Sequence, residues 1–206
     1  AIINLFKDKT YEDYLLLYYS GHGFKPGGRL FYAVTDSEPE YPEDSAIADA
    51  ELKEAIRASN SKRIVVILDC CHSGAALKSG AMAAGDAALD LTENLDHIGF
   101  GRVFMTASGA TQQAWEFDQP GDSSPYSVFS RFLLEGLAEG AADTDDDTNI
   151  YTRELYDFIH HRIKESFPAL NMTPGYSFGE GTSDLLIARN PRPRKLSEDI
   201  RKRLRH

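Results

Sequence analysis

At 206 residues, with 42% hydrophobic and 11% aromatic side chains, the chain suffices for one sizeable domain with a packed core and is neither low-complexity nor disordered. No run of about 18 apolar residues and no charged-then-apolar leader is seen, which argues against a membrane span and a secretory signal. The net charge is −10, but residues 189–206 carry eight Lys/Arg against two acids, so the other 188 hold 14 basic and 30 acidic side chains, a net of −16 that repels nucleic acid and favours basic ligands.

Residues 1–9 read as the end of a helix. Tyr14-Leu15-Leu16-Leu17-Tyr18-Tyr19 is a strand, apolar on both faces, which suits an interior position with a neighbour on each side. It runs out into Ser20-Gly21-His22-Gly23. Pro26-Gly27-Gly28 marks a turn and Arg29 to Val34 a short strand or hairpin arm. The acidic segment 35–44 is a solvated connection, and Ile47, Leu52 and Ile56 with Ala48 and Ala55 form a helical stripe ending near Ser59-Asn60.

The run Ile64-Val65-Val66-Ile67-Leu68 reads as a buried parallel strand, and Asp69-Cys70-Cys71-His72-Ser73-Gly74 stands at its carboxyl end. In an open α/β sheet the residues past adjacent strand tips share one crevice, so His22 and Cys71 can meet although 49 residues separate them. An imidazole beside a thiol makes a nucleophile near neutral pH and can then protonate a leaving amine. Taken singly, Cys71 is an inert buried thiol and His22 a satisfied core histidine; their pairing after two apolar strands favours a catalytic site. His72 is adjacent to Cys71, but a neighbouring strand-end residue points away. The adjacent Cys70 and Cys71 cannot build a disulfide framework, so a reducing, cytoplasmic setting is the default.

Beyond Gly74 a small-residue stretch, residues 75–85, forms a candidate flexible or cleavable linker, with a short helix expected over 87–95. Arg102 to Ala107 is the next parallel strand, followed by a loop with Trp115 and Glu116, where a lone Trp is more simply core filling. Ser127 to Leu137 and Thr152 to Ser166 are amphipathic helices. Asp184 to Ala188 is expected to close the sheet, and residues 189–206 form a basic linker or tail toward a further domain.

Tyr18-Tyr19-Ser20-Gly21-His22-Gly23 followed by Asp69-Cys70-Cys71-His72-Ser73-Gly74 resembles the caspase and metacaspase cysteine peptidases, most closely the caspase-domain proteins of bacteria. The resemblance runs through most of residues 10–190. It implies an α/β caspase-like three-layer sandwich with a mainly parallel sheet, a peptidase domain over 1–188, and N-terminal strands missing from this chain that a further domain or partner chain would supply. It assigns Cys71 as nucleophile and His22, rather than His72, as base. The backbone amides of Gly23 and Cys71 are then the natural oxyanion donors. Asp69 and Ser20 match residues that line the primary pocket of metacaspases, which implies protein or peptide substrates with Arg or Lys before the cut bond. The plain alternative for Asp69 is a strand-end cap. A further pocket acid normally comes from the absent N-terminal part. Relatives often cut themselves after this strand, and Lys78 is the basic residue there.

The resemblance requires no cofactor. The positions matching the metacaspase calcium cluster hold Arg29 and Lys78, with only Asp49 retained. Separately, Asp143, Asp145, Asp147, Asn149 and Glu154 have EF-hand-like spacing for calcium, although Thr148 stands where the sharp turn favours Gly. The simpler reading is an acidic loop favouring the N-terminus of the next helix. The overall reading is a cysteine endopeptidase in a regulated signalling or defence pathway, with a catalytically silent caspase-fold scaffold as its rival.

Overall fold

The computed structural model describes residues 2–72, 101–107, 126–170, 172–179 and 184–192. A 3₁₀ turn at Ile2–Leu5 opens the chain. Three strands follow the longest apolar runs: β1 at Tyr14–Phe24, β4 at Arg63–His72 and β5 at Arg102–Thr106. They lie side by side and parallel. The short strands β2 (Phe31–Tyr32) and β3 (Ile47–Ala48) extend the sheet antiparallel beyond β1. On the other side β7 (Gly175–Phe178) pairs antiparallel with β5, giving the order β3-β2-β1-β4-β5-β7.

The last strand departs from the sequence expectation. The segment expected to close the sheet becomes β8 at Leu186–Arg189, which pairs with β6 (Asn149–Tyr151) in a separate two-stranded sheet. The main sheet is closed by β7, a four-residue segment whose half-buried Gly, Tyr and Ser carry no strong strand pattern.

Helices cover the two faces, and strand alternation decides which side chain goes where. Ile64, Val66, Leu68 and Cys70 of β4 join Leu15 and Leu17 of β1 against Leu52 and Ile56 of α2 (Asp49–Ala58), which follows a one-turn helix α1 at Pro42–Ser45. Val65 and Ile67 point the other way, against α3 (Val128–Ala138) and α4 (Thr152–Ser166) through Phe129, Phe132, Leu133, Leu155 and Ile159. Each such side chain contributes about 1.5–3 kcal/mol by leaving water. Arg102 is 3% exposed and donates to the carbonyls of Ile56 (Nη2, 3.2 Å) and Ser59 (Nη2, 3.0 Å), a cation at the negative end of α2.

β1 has a strand on each side, as its composition suggests, but the two pairings are unequal. It pairs with β4 from Tyr14 to Gly23, but with β2 only at Gly23 and Phe24. Among the described residues no strand pairs with β1 on that side before Gly23, and Tyr14, Leu16 and Tyr18 on its α3 face remain 38–48% exposed. Leu16 and Tyr18 line a groove completed by Tyr126, Leu133, Leu134 and Ile187.

Candidate active site

Both motif strands run further than their apolar cores. β1 continues through Ser20-Gly21-His22-Gly23 and β4 through Asp69-Cys70-Cys71-His72 because each satisfies the other's backbone groups in a parallel ladder. The motif residues therefore sit in the last pairs of the sheet rather than in loops beyond it. The register is direct: Ser20 opposes Asp69, Gly21 opposes Cys70, His22 opposes Cys71 and Gly23 opposes His72. Adjacent strands lie about 4.8 Å apart. His22 and Cys71 are thus next-door positions, two residues further along the same register than Ser20 and Asp69.

Cys70 is 7% exposed and belongs to the apolar core on the α2 side. Alternation turns Asp69 to the opposite face of β4. His22 is exposed on β1. Its backbone is fixed by neighbours: the carbonyl accepts from Ala33 N–H at 2.8 Å and from the Tyr19 hydroxyl at 2.9 Å. Tyr19 also reaches the Ala33 carbonyl at 2.7 Å, and burial pushes its hydroxyl pKa well up, so it stays a donor. Gly21 makes room for this ring; a Cβ there would lie 2.7 Å from the Tyr19 oxygen.

Asp69 is 3% exposed. Its Oδ2 accepts from the hydroxyls of Ser127 and Ser130, residues that sequence reasoning did not single out. Ser127 is also the N-cap of α3, accepting from Ser130 N–H at 3.0 Å. Because Ser130 gives its proton to Asp69, Tyr18 donates to Ser130 Oγ at 2.5 Å, completing a Tyr18–Ser130–Asp69 chain. Burial raises the Asp69 pKa, and hydrogen bonds from Ser127, Ser130 and Ser20 oppose that rise without cancelling it. A serine before an amphipathic helix is a readable N-cap signal. Its meeting with Asp69, 58 residues earlier, is not.

The family model of the caspase domain matches residues 1–178. The chain belongs to the caspase-domain family. Its fold is the caspase-like α/β fold expected from the paired motifs. The caspase-1 of Spodoptera frugiperda superposes with a TM-score of 0.53 at 12% identity, over 95% of this chain and 70% of that one. At that identity the likeness speaks for fold alone. No curated protein matches the sequence.

Other expected positions of this caspase domain fall in three groups. Lys78, Trp115 and Glu116 lie outside the described residues. Asp49, the retained member of the metacaspase calcium cluster, accepts from the Tyr32 hydroxyl at 2.8 Å and pairs with Lys53 at 2.8 Å, while Arg29 pairs with Glu43. In the EF-hand-like loop, Asp143, Asp145 and Asp147 converge within 4.8 Å of one another. Glu154 stands outside that cluster, and Asn149 Nδ2 donates to Asp147 Oδ2 at 3.3 Å. Glu154 caps α4, accepting from Tyr151 N–H at 3.1 Å, and also accepts from the Thr144 hydroxyl at 3.1 Å. No helix among the described residues is long and apolar enough to cross a membrane.

Proposed function

We propose that the chain is a metacaspase-like cysteine endopeptidase that cuts proteins and peptides after Arg or Lys. The observation that carries this reading is the β1–β4 register, with His22 opposite Cys71 and Ser20 opposite Asp69. His22 takes the Cys71 thiol proton, and the sulfur attacks the carbonyl carbon before the scissile bond. The C–N bond breaks as His22 returns that proton to the leaving amine, leaving a thioester. Water then gives a proton to His22 and attacks the thioester, and the proton returns to sulfur as the acid product departs. The amides of Gly23 and Cys71 receive the oxyanion at both stages. No cofactor enters these steps.

The basic side chain of the substrate is held by Asp69 with Ser20, and the acidic body of the protein draws such substrates in. The stretch of β1 before Gly23, with no strand paired on its β2 side among the described residues, and the exposed Leu16 and Tyr18 favour an added strand from a further segment or a partner chain. The domain spans 1–188 with 189–206 as a basic tail, and it works in the cytoplasm within a signalling or defence response.

One observation favours a second reading. The Ser127 and Ser130 hydroxyls already satisfy Asp69 Oδ2, as they would in a purely structural strand-end cap of a catalytically silent domain. Hydrolysis of fluorogenic peptides ending in Arg, Lys or Asp, by the intact protein and by Cys71→Ala, decides between them. Arg and Lys cleavage that vanishes in the variant is the expected result. Preference for Asp overturns the pocket assignment, and failure of a covalent peptidyl-Arg inhibitor to label Cys71 favours the silent domain.

A further inference from the structure

Helix α3 ends at Ala138, and the chain turns through Gly140 into a loop that supplies five acids by residue 154: Asp143, Asp145, Asp146, Asp147 and Glu154. Asp143 is the buried one, 6% exposed. Its Oδ2 accepts from Thr148 N–H at 3.2 Å and from Asn190 Nδ2 at 2.8 Å. Its Oδ1 is buried with no donor, the one such side-chain atom among the described residues. A buried carboxylate oxygen left without a partner costs on the order of 1–3 kcal/mol or more, so native proteins almost always supply one.

The neighbours of that oxygen favour a cation as its partner. Carboxylate oxygens of Asp143, Asp145 and Asp147 lie within 4.8 Å of one another. No Lys or Arg among the described residues forms an ion pair with any of the three. Backbone N–H groups hold the exposed pair in place: Asp147 N–H donates to Asp145 Oδ1 at 3.1 Å, and Asn149 N–H to Asp147 Oδ1 at 2.6 Å. The sequence objection to a cation loop, Thr148 in place of Gly, is met by the backbone. Thr148 has φ +75°, in the region the sharp turn requires, despite its β-branched side chain.

We propose that residues 143–149 bind one calcium ion, with Asp143 Oδ1 as the buried anchor and Asp145 and Asp147 as the other carboxylate ligands. Hard oxygen donors with adaptable spacing suit calcium, whereas magnesium demands a tighter octahedron and sheds water reluctantly. The site is separate from the proteolytic centre. α3 has eleven residues, so its length puts about 16 Å between its Asp69 end and its Asp143 end. The ion ties the segment after α3 to the turn before β6 and, through Asn190, to the end of β8, so its effect is on the cohesion of that corner.

The test is calorimetry and thermal unfolding of the intact, EDTA-treated protein with calcium chloride, with magnesium chloride, and with neither, alongside an Asp145→Asn/Asp147→Asn variant. Both altered residues are exposed, and Asn keeps their acceptor oxygens. The expected result is one calcium per chain with Kd of about 10⁻⁶–10⁻³ M, weakened at least tenfold in the variant. The unfolding temperature should rise with calcium in the wild type only, and in EDTA the variant should unfold no earlier than the wild type because repulsion is relieved. No heat at millimolar calcium, an equal response to magnesium, or a calcium shift retained in the variant would each overturn the site. A variant less stable than wild type in EDTA would make the loop a hydrogen-bonded turn and no more.

Discussion

Helix α3 has a buried carboxylate near each end, and the two are satisfied in opposite ways. At the N-terminal end Asp69 meets the positive pole of the helix, two serine hydroxyls and, through Ser130, Tyr18. Past the C-terminal end Asp143 has one oxygen served and the other bare, with two further carboxylates closing in. A carboxylate surrounded by donors is a finished local structure that can still face a substrate. A carboxylate among carboxylates is unfinished until a cation arrives. The difference lies in the neighbours, since burial of the two is nearly the same, at 3% and 6% exposed.

The largest effects should fall at the Asp69 end, beside the proposed reaction centre. Cys71→Ala should lower kcat/KM for Arg peptides by at least about 10³-fold, since the proposed nucleophile and base act as one unit, and should leave the unfolding temperature unchanged. Next comes Asp69→Asn, expected to cut kcat/KM for Arg peptides by about 10²-fold, about 2.7 kcal/mol of transition-state binding. Its unfolding temperature at neutral pH should not fall, because the substitution removes a charge that burial disfavours. The pH profile adds a sign. Burial raises the Asp69 pKa, so the ionised form proposed to bind a guanidinium is lost at a pH above the ordinary carboxylate value near 3.9. The acid limb for Arg substrates should lie above that value and be absent in Asp69→Asn; the same limb in both proteins would remove Asp69 from the pocket.

The sequence carried the long elements and the pairing, and it failed where partners are distant or segments short. β1, β4 and β5 are apolar runs, and α2, α3 and α4 are amphipathic stripes with readable ends, because burial on a fixed face writes a period into the chain. The strands overran their predicted ends because Ser20-Gly21-His22 is held by ladder bonds to β4, which composition does not announce. β7 and the β6–β8 pair are four residues or fewer and are defined by partners far along the chain. Asp69 and Cys71 were legible as a motif. The serines that hold Asp69 come from 58 and 61 residues later, and the bare oxygen of Asp143 depends on how Thr148 and Asn190 fold around it.

Smaller effects on stability should differ in sign at the two ends. Ser127→Ala removes an N-cap, worth about 1 kcal/mol, and a donor to a buried carboxylate, worth about 1.5–3 kcal/mol. A loss of about 2 kcal/mol in urea unfolding is expected, with or without calcium. Asp143→Asn should behave otherwise. The Asn oxygen can still accept from Thr148 and Asn190, and its amide would face Asp145 and Asp147 as a donor. In EDTA that variant should be as stable as wild type or slightly more so, and in calcium it should lose the stabilisation that wild type gains. Destabilisation in EDTA comparable with that of Ser127→Ala would mean that Asp143, like Asp69, is already fully satisfied.

The smallest effect tests the backbone around Asp143. Thr148 at φ +75° and Asp146 at φ +60° are non-glycine residues in the left-handed region, and strain of this kind costs on the order of 1–3 kcal/mol per residue. Thr148→Gly releases that strain but frees the unfolded chain, which opposes the gain by about 0.5–1 kcal/mol. A net stabilisation of about 1 kcal/mol or less is expected in EDTA, measured by urea unfolding. Calcium affinity in the same variant should hold or improve, since the turn is then adopted without steric resistance. A drop in affinity would show that the threonine side chain, and not merely its backbone, helps to hold the carboxylates together.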